Sequence, residues 1–199
     1  MITWALVPVK RFNLGKSRLH EVLSASELEA VNRRLFQRTL STVKESGIFM
    51  QIMVISEDEE ALHWASEQGF LALCEEPTGD LNSALSQALA VIQENGTGSV
   101  LVIPTDLPML TAEDLCLLAD FAPEANGILV VPDHHMTGTN ALYLSNPDLL
   151  PTAFGKNSCA LHCALAEERK LDHVIYLNSH IQHDLDTPED LTYLRNSLK

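Results

Sequence analysis

The stretch Ser99 to Leu110, SVLVIPTDLPML, decides how the chain is read. Val100 to Ile103 form an aliphatic run too short for a helix and too continuously apolar for a half-exposed strand. The run therefore reads as a central strand buried on both faces. Pro104 ends it. Asp106 then stands between two prolines at the carboxyl edge of a buried strand, where open α/β sheets place their ligands. It is either a metal ligand or an aspartate that caps the turn through its own backbone.

Working outward, 199 residues with 46% hydrophobic side chains suffice for one sizeable core, and a single α/β domain spanning 1–199 is expected. The apolar opening Ile2 to Val9 has strand length and precedes the basic residues, the reverse of a signal peptide. No apolar run approaches the roughly 18 residues needed to cross a bilayer, so a cytoplasmic protein is expected. Cys74, Cys116, Cys159 and Cys163 lack CxxC spacing and read as reduced thiols. Cys159 and Cys163 would share a helix face with His162 beside them, a minor candidate metal group. The formal charge of −14 argues against nucleic acid and anionic membranes as partners. Residues 1–20 nevertheless contain Lys10, Arg11, Lys16 and Arg18 and no acid, which suits a small anion.

The first strand, Thr3 to Val9, runs into that basic segment, KRFNLGKSRL. A loop bending at Gly15 with cations around it is suited to wrapping a polyphosphate; the plainer reading is a solvated basic loop. Neither a Walker motif nor a GxGxxG fingerprint is present. Ser24 with Glu27 makes a capping box, and Leu28, Val31, Leu35, Phe36, Leu40 and Val43 recur at helical spacing until Gly47. Arg33, Arg34 and Arg38 on that helix read as solvated. Phe49 to Ile55 is a second strand, Ser56 with Glu59 is the expected cap of a helix ending at Gly69, and Phe70 to Cys74 is a third strand. The β-α-β-α-β order predicts right-handed crossovers and a largely parallel sheet. Gly79 frees the next turn, and Asp80 or Asn82 caps a helix carrying Leu81, Ala84, Leu85, Ala88, Leu89 and Ile92. That helix start either presents N–H groups and the Asn82 amide to a base or ribose, or is simply well capped.

Beyond the central strand, Thr111 caps a helix from Ala112 to Phe121, and Gly127 to Val131 is another strand. His134 and His135 are expected on opposite sides of an extended chain, which makes them poor partners for one metal. Thr137, Gly138, Thr139 and Asn140 lead into a strand with small hydrogen-bonding side chains. Gly155, Lys156 and Ser158 then gather at the start of a helix running to about Lys170, either as a phosphate or carboxylate site or with Asn157 or Ser158 as an ordinary cap. Finally Asp184 and Asp186 stand two apart, with Thr187 and Pro188 opening a last helix. If Ile181 to Asp186 is extended, both carboxylates share a face, and like charges that close need a cation between them. With Asp106 they offer three carboxylates to a hard divalent ion, Mg²⁺ being usual beside phosphates. No Ser-His-Asp or Cys-His nucleophile signature accompanies them.

VPVKRFNLGKSRL, GDLNSAL, PTDLPML, TGTN, FGKNS and HDLDTPEDL occur in this order over nearly the full length. Together they resemble the guanylyltransferases of coenzyme F-420 biosynthesis, the 2-phospho-L-lactate / phosphoenolpyruvate guanylyltransferase family. The resemblance implies a nucleotidyltransferase fold of the glycosyltransferase-A type: a three-layer α/β/α sandwich around a mixed, mostly parallel sheet. It implies that GTP reacts with a small phosphorylated carboxylic acid (2-phospho-L-lactate, phosphoenolpyruvate or 3-phospho-D-glycerate) to give a guanylylated product and pyrophosphate. Matched by position, Asp106, Asp184 and Asp186 are its metal-binding and catalytic aspartates, joined by Lys16. Thr139 or Asn140, Gly155 and Ser158 are its acceptor-binding residues. Lys10, Lys16 and Arg18 match its triphosphate-binding cations, with Gly79 and Asn82 on the GTP side. A homodimer is compatible with such a fold. Alternatives are a molybdopterin or sugar nucleotidyltransferase, which would usually open on a GxGxR-like loop, and a nucleotide-binding relic without turnover.

Overall fold

The strand at the centre is β4, Val100–Val102, whose three residues are fully buried. The computed structural model describes residues 2–76, 79–96 and 98–197. β4 lies parallel to β1 (Ile2–Val9), and Ile103 carries the pairing one residue further by donating its N–H to Leu6 O at 2.9 Å. Beyond β1 come β2 (Phe49–Ser56) and β3 (Leu71–Cys74), both parallel to their neighbours. On the other side of β4 the sheet continues with β6 (Thr139–Leu144), β5 (Gly127–Pro132) and β7 (Asp172–Ile175). The order is β3-β2-β1-β4-β6-β5-β7, and β6 runs antiparallel to both of its neighbours. The sheet is thus mixed and mostly parallel, as expected.

Seven helices, among the described residues, cover it: α1 Ala25–Ser46, α2 Glu59–Glu67, α3 Leu81–Glu94, α4 Ala112–Phe121, α5 Ser158–Glu168, α6 Ser179–Gln182 and α7 Pro188–Ser197. Alternation along the strands sorts their side chains between two layers. Leu6, Val102, Val130 and Leu142 pack with Leu85, Ala88 and Ile92 of α3 and with Cys159 and Ala166 of α5. Ala5, Leu101, Leu129 and Tyr143 meet Val43 of α1 and Leu115 and Leu118 of α4 on the opposite face. The strand ends Val7, Val9 and Val54 meet Phe36 of α1 and Ala61 and Ala65 of α2 there. This is the three-layer α/β/α sandwich.

Local chemistry sets the ends of the elements. Ser24 and Glu27 form the expected capping box on α1, and Gly47 closes it in the left-handed conformation at φ 65°. Thr111 and Asp114 form a second box on α4. Asp80 caps α3 by accepting the Ser83 N–H. The expected Ser56 cap on α2 is not found. Asp58 is the N-cap, accepting from Glu60 and Ala61, while the Ser56 hydroxyl donates to Val9 O at 2.8 Å and accepts the Asp58 N–H at 2.9 Å, one turn short of the helix. Arg33 is ion-paired with Glu29 and Glu60 instead of being merely solvated, and Arg38 donates to Leu110 O.

Two departures matter for the site. The segment Ile181 to Asp186 is not extended throughout, since the short helix α6, capped by Asn178, takes in its first two residues. His134 and His135 do not diverge; their ring centroids are 3.8 Å apart. They sit in a tight turn in which Asp133 accepts the Thr137 N–H, Met136 adopts φ 61°, and a Cβ on Gly138 would meet Asp133 Oδ2 at 2.9 Å. That turn feeds β6 through a bulge: Val131 opposes Ala141 while Pro132 opposes Thr139, leaving Asn140 as the extra residue.

Candidate active site

Asp106 lies beyond β4, and Asp184 and Asp186 lie on the segment between α6 and α7. One backbone bond joins the two segments: the Leu185 N–H donates to Asp106 O at 2.9 Å. Because the bonded residue sits between Asp184 and Asp186, the contact brings both side chains to Asp106. One carboxylate oxygen from each lies within 4.8 Å of the others. Asp190 fixes the far side by accepting the N–H groups of Asp186 and Thr187 as α7 begins. Asn140, turned toward α6 by the bulge, donates its amide to Ile181 O at 2.9 Å and to Asp184 Oδ1 at 3.1 Å.

Three carboxylates this close repel one another. Burial pushes the Asp184 carboxyl up from its ordinary range, the charge of Asp106 pushes it further, and the Asn140 amide partly opposes both. Lys16 supplies the counter-charge. Its Nζ lies 3.6 Å from Asp106 and 3.4 Å from Asp186, and it donates to Leu185 O. The backbone there is built for that reach, since Gly15 (φ 95°) and Lys16 (φ 49°) both adopt positive φ ahead of the 3-10 turn Ser17–Glu21. Lys10 and Arg18, on the same loop, are exposed, and Arg11 is paired with Glu57 at 3.1 Å. Among the described residues the aspartates form the one carboxylate, His or Cys group placed to hold a metal ion. The Cys159, Cys163 and His162 grouping does not converge in this way.

On the other face of the sheet the chemistry is neutral. Thr139 and Ser158 are both buried, and Gly155 turns at φ 125° just before α5. Asn157 occupies the cap position of α5 with φ 58° and makes no side-chain cap bond, while the buried Ser158 hydroxyl has no partner among the described residues. Neither therefore acts as the ordinary cap. Asn82, at the start of α3, is turned to this side: its amide accepts the Phe154 N–H at 2.8 Å and donates to Phe154 O at 3.0 Å. Gly79, two residues ahead of α3, is exposed with φ 83°.

The model of the family described as "Guanylyl transferase CofC like" matches residues 3–195. The chain belongs to that family. A phosphoenolpyruvate guanylyltransferase from Rubrobacter xylanophilus is 33% identical over 197 residues, covering 99% of this chain and 95% of the relative. A 2-phospho-L-lactate guanylyltransferase from Methanothermobacter thermautotrophicus is 33% identical over 191 residues, covering 96% of this chain and 83% of the relative. Among solved structures, a nucleotidyl transferase from Methanothermobacter superposes with a TM-score of 0.70 at 14% identity, covering 98% of this chain and 97% of that one. At that identity the likeness establishes the fold alone.

Two features of this CofC-like chain escape a reading of the sequence. One is the direct contact of Lys16 with the aspartates: the resemblance groups it with them, but nothing in the spacing of a basic loop says which of its cations reaches residues 170 positions away. The other is His162, fully buried on α5, with Thr139 Oγ1 3.1 Å from Nδ1 and the Ala153 N–H donating to Nε2 at 2.9 Å. The sequence marks it only as a neighbour of Cys159 and Cys163; the trace that bears on this contact is its place four residues after Ser158, on the same helix face.

Proposed function

We propose that this guanylyl transferase moves GMP from GTP to a small phosphorylated carboxylic acid. An acceptor phosphate oxygen bonds to the α-phosphorus of GTP, the bond from that phosphorus to the bridging oxygen breaks, and pyrophosphate leaves. The observation that carries the reading is the meeting of Asp106, Asp184 and Asp186 within 4.8 Å of one another, on a chain of this family. Hard oxygen donors from two distant segments, with a single lysine among the described residues set against three carboxylates, fit a divalent cation, and Mg²⁺ is the usual one beside phosphates. Bound there, the ion would act as a Lewis acid toward phosphate oxygens.

The chain's own residues then divide the work. Asp106, Asp184 and Asp186 hold the ion. Lys16, whose side chain is only 9% exposed, sets its ammonium in a poorly hydrated place, where it acts on phosphates bound at the triad more strongly than it would in water. Lys10 and Arg18 are exposed on the same loop and serve the β- and γ-phosphates. Gly79, exposed just ahead of α3, serves the nucleotide, whereas Asn82 is engaged with the Phe154 backbone. The acceptor is already a phosphate, largely ionised at neutral pH because its second pKa is about 6, so no side-chain base is required. Thr139, Gly155 and Ser158 grip it. Thr139 takes this role over Asn140, whose amide donors are committed to Ile181 O and Asp184. The reduced thiols suit a cytoplasmic enzyme, and no described helix is long and apolar enough to cross a membrane.

The test is incubation with GTP, Mg²⁺ and, in turn, phosphoenolpyruvate, 2-phospho-L-lactate and 3-phospho-D-glycerate, with product masses and pyrophosphate release as readouts. One acid is expected to give its guanylylated product, abolished by EDTA. GTP binding with no product from any of the three would overturn the reading.

A further inference from the structure

We propose that His162 is a positioning residue of the acceptor site, holding the Thr139 hydroxyl so that its hydrogen is turned toward the bound phospho-acid. The inference rests on the reading of Thr139, Gly155 and Ser158 as that site, and it adds a residue and a proton direction to it.

The geometry decides the tautomer. A backbone N–H can only donate, so the Ala153 N–H at 2.9 Å requires a bare lone pair on His162 Nε2. Complete burial, which pushes the imidazole down to about 4, keeps the ring neutral at pH 7, so its single proton sits on Nδ1. That proton points at Thr139 Oγ1, 3.1 Å away. A hydroxyl that accepts from the ring must give its own hydrogen elsewhere, and a phosphate or carboxylate oxygen is the acceptor this chemistry favours. The opposite tautomer would turn the hydroxyl into a donor toward the ring and present only lone pairs to an anion.

The same ring also fixes the neighbouring loop. Ala153 is held by His162, Phe154 is held at both backbone groups by Asn82, and the Phe154 ring stands edge-on to the His162 ring with centroids 5.3 Å apart. Gly155 follows directly. Two side chains, one from α3 and one from α5, thus hold the approach to Gly155 and Ser158, and His162 alone of the two also reaches Thr139.

Two experiments test this. In ¹⁵N-histidine-labelled wild-type protein at pH 7, long-range ¹H–¹⁵N spectra should contain one neutral ring protonated at Nδ1 whose shifts move in Thr139→Val; protonation of that ring at Nε2 overturns the proposal. In steady-state assays with GTP and either phosphoenolpyruvate or 2-phospho-L-lactate, two variants separate the ring's contacts. His162→Asn places an amide donor where Nδ1–H was, whereas His162→Gln keeps an acceptor for Ala153 and loses the donor. The proposal expects the acceptor KM to rise about tenfold in His162→Gln, to stay within about threefold in His162→Asn, and the GTP KM to hold in both, the scale of one hydrogen bond. Equal acceptor KM in the two variants, tracking thermal stability only, overturns it. Thr139→Val is run beside them. If it leaves the acceptor KM unchanged, the acceptor assignment itself falls and the inference with it. If it raises that KM while His162→Gln does not, the His162 role alone fails.

Discussion

The two faces of the sheet solve opposite problems. On one, Asp106, Asp184 and Asp186 gather charge that the protein alone does not balance, with Lys16 the cation placed against them. On the other, Thr139, Ser158 and His162 are neutral and buried, and the Thr139 and His162 side chains are set by hydrogen bonds of about 3 Å. The bulge at Asn140 divides them, turning Asn140 toward Asp184 and Thr139 toward His162 from adjacent positions. The difference teaches how each half should respond to change. Electrostatic sites lose activity steeply and stability little, whereas buried neutral sites trade stability and affinity against each other.

The largest effect should come from the charged face. Asp106→Asn keeps the shape and removes one ligand charge, so turnover in a pyrophosphate-release assay should fall at least ~100-fold with the thermal midpoint unchanged or higher, because repulsion with Asp184 is relieved. Near-normal turnover would erase the contrast between the faces. Lys16→Met comes next: turnover should drop on the order of tenfold, and the variant, left with uncompensated carboxylates, should gain more thermal stability from Mg²⁺ than the wild type does. If Mg²⁺ stabilises both equally, Lys16 is not the counter-ion of the site.

Much of this was legible before any coordinates, and the boundary of legibility is physical. The capping box at Ser24, the cap at Thr111, the stop at Gly47 and the aliphatic run at Val100 are local signals, and each appears where expected. The three aspartates were nameable because an Asp after a buried strand and a DxD pair are also local patterns, and the FGKNS and TGTN segments stood out for the same reason. Their meeting is expected from the chemistry of like charges around one cation, but the contact that makes it is not readable, a Leu185 to Asp106 bond between segments 79 residues apart in the chain. Non-local contacts of that kind leave no period in the sequence. The bulge is the sharper case, because strict alternation puts Thr139 on the same face as Ala141, and one unpaired residue reverses that. Asn82 likewise read as a nucleotide contact because its helix start is visible, whereas its partner Phe154, 72 residues on, is not.

The neutral face should betray itself by pH. His162 has a folded pKa of about 4 against an ordinary 6.5, so between those values the unfolded chain binds the extra proton. The resulting stability is present above pH 6.5 and is lost as pH falls toward 4. Between pH 7 and 5.5 that loss is about 1 kcal/mol from this residue alone. Denaturant titrations at both values should show a difference of that size between wild type and His162→Gln; parallel pH dependence would mean the ring is not held neutral.

The smallest effect is the most discriminating, because its two parts have opposite signs. Ser158 is 1% exposed, and its hydroxyl has no hydrogen-bond partner among the described residues. A buried donor left in that condition costs free energy, so Ser158→Ala should leave the protein as stable as before or up to about 1 kcal/mol more so. A hydroxyl kept at such a cost has its use in what binds beside it, and the same variant should raise the acceptor KM severalfold while the GTP KM stays put. A conventional structural serine behaves the other way, losing stability on truncation and leaving both Michaelis constants alone. Denaturation midpoints and the two KM values, measured on one preparation, therefore decide whether this face of the sheet is built to hold itself together or to hold an acceptor.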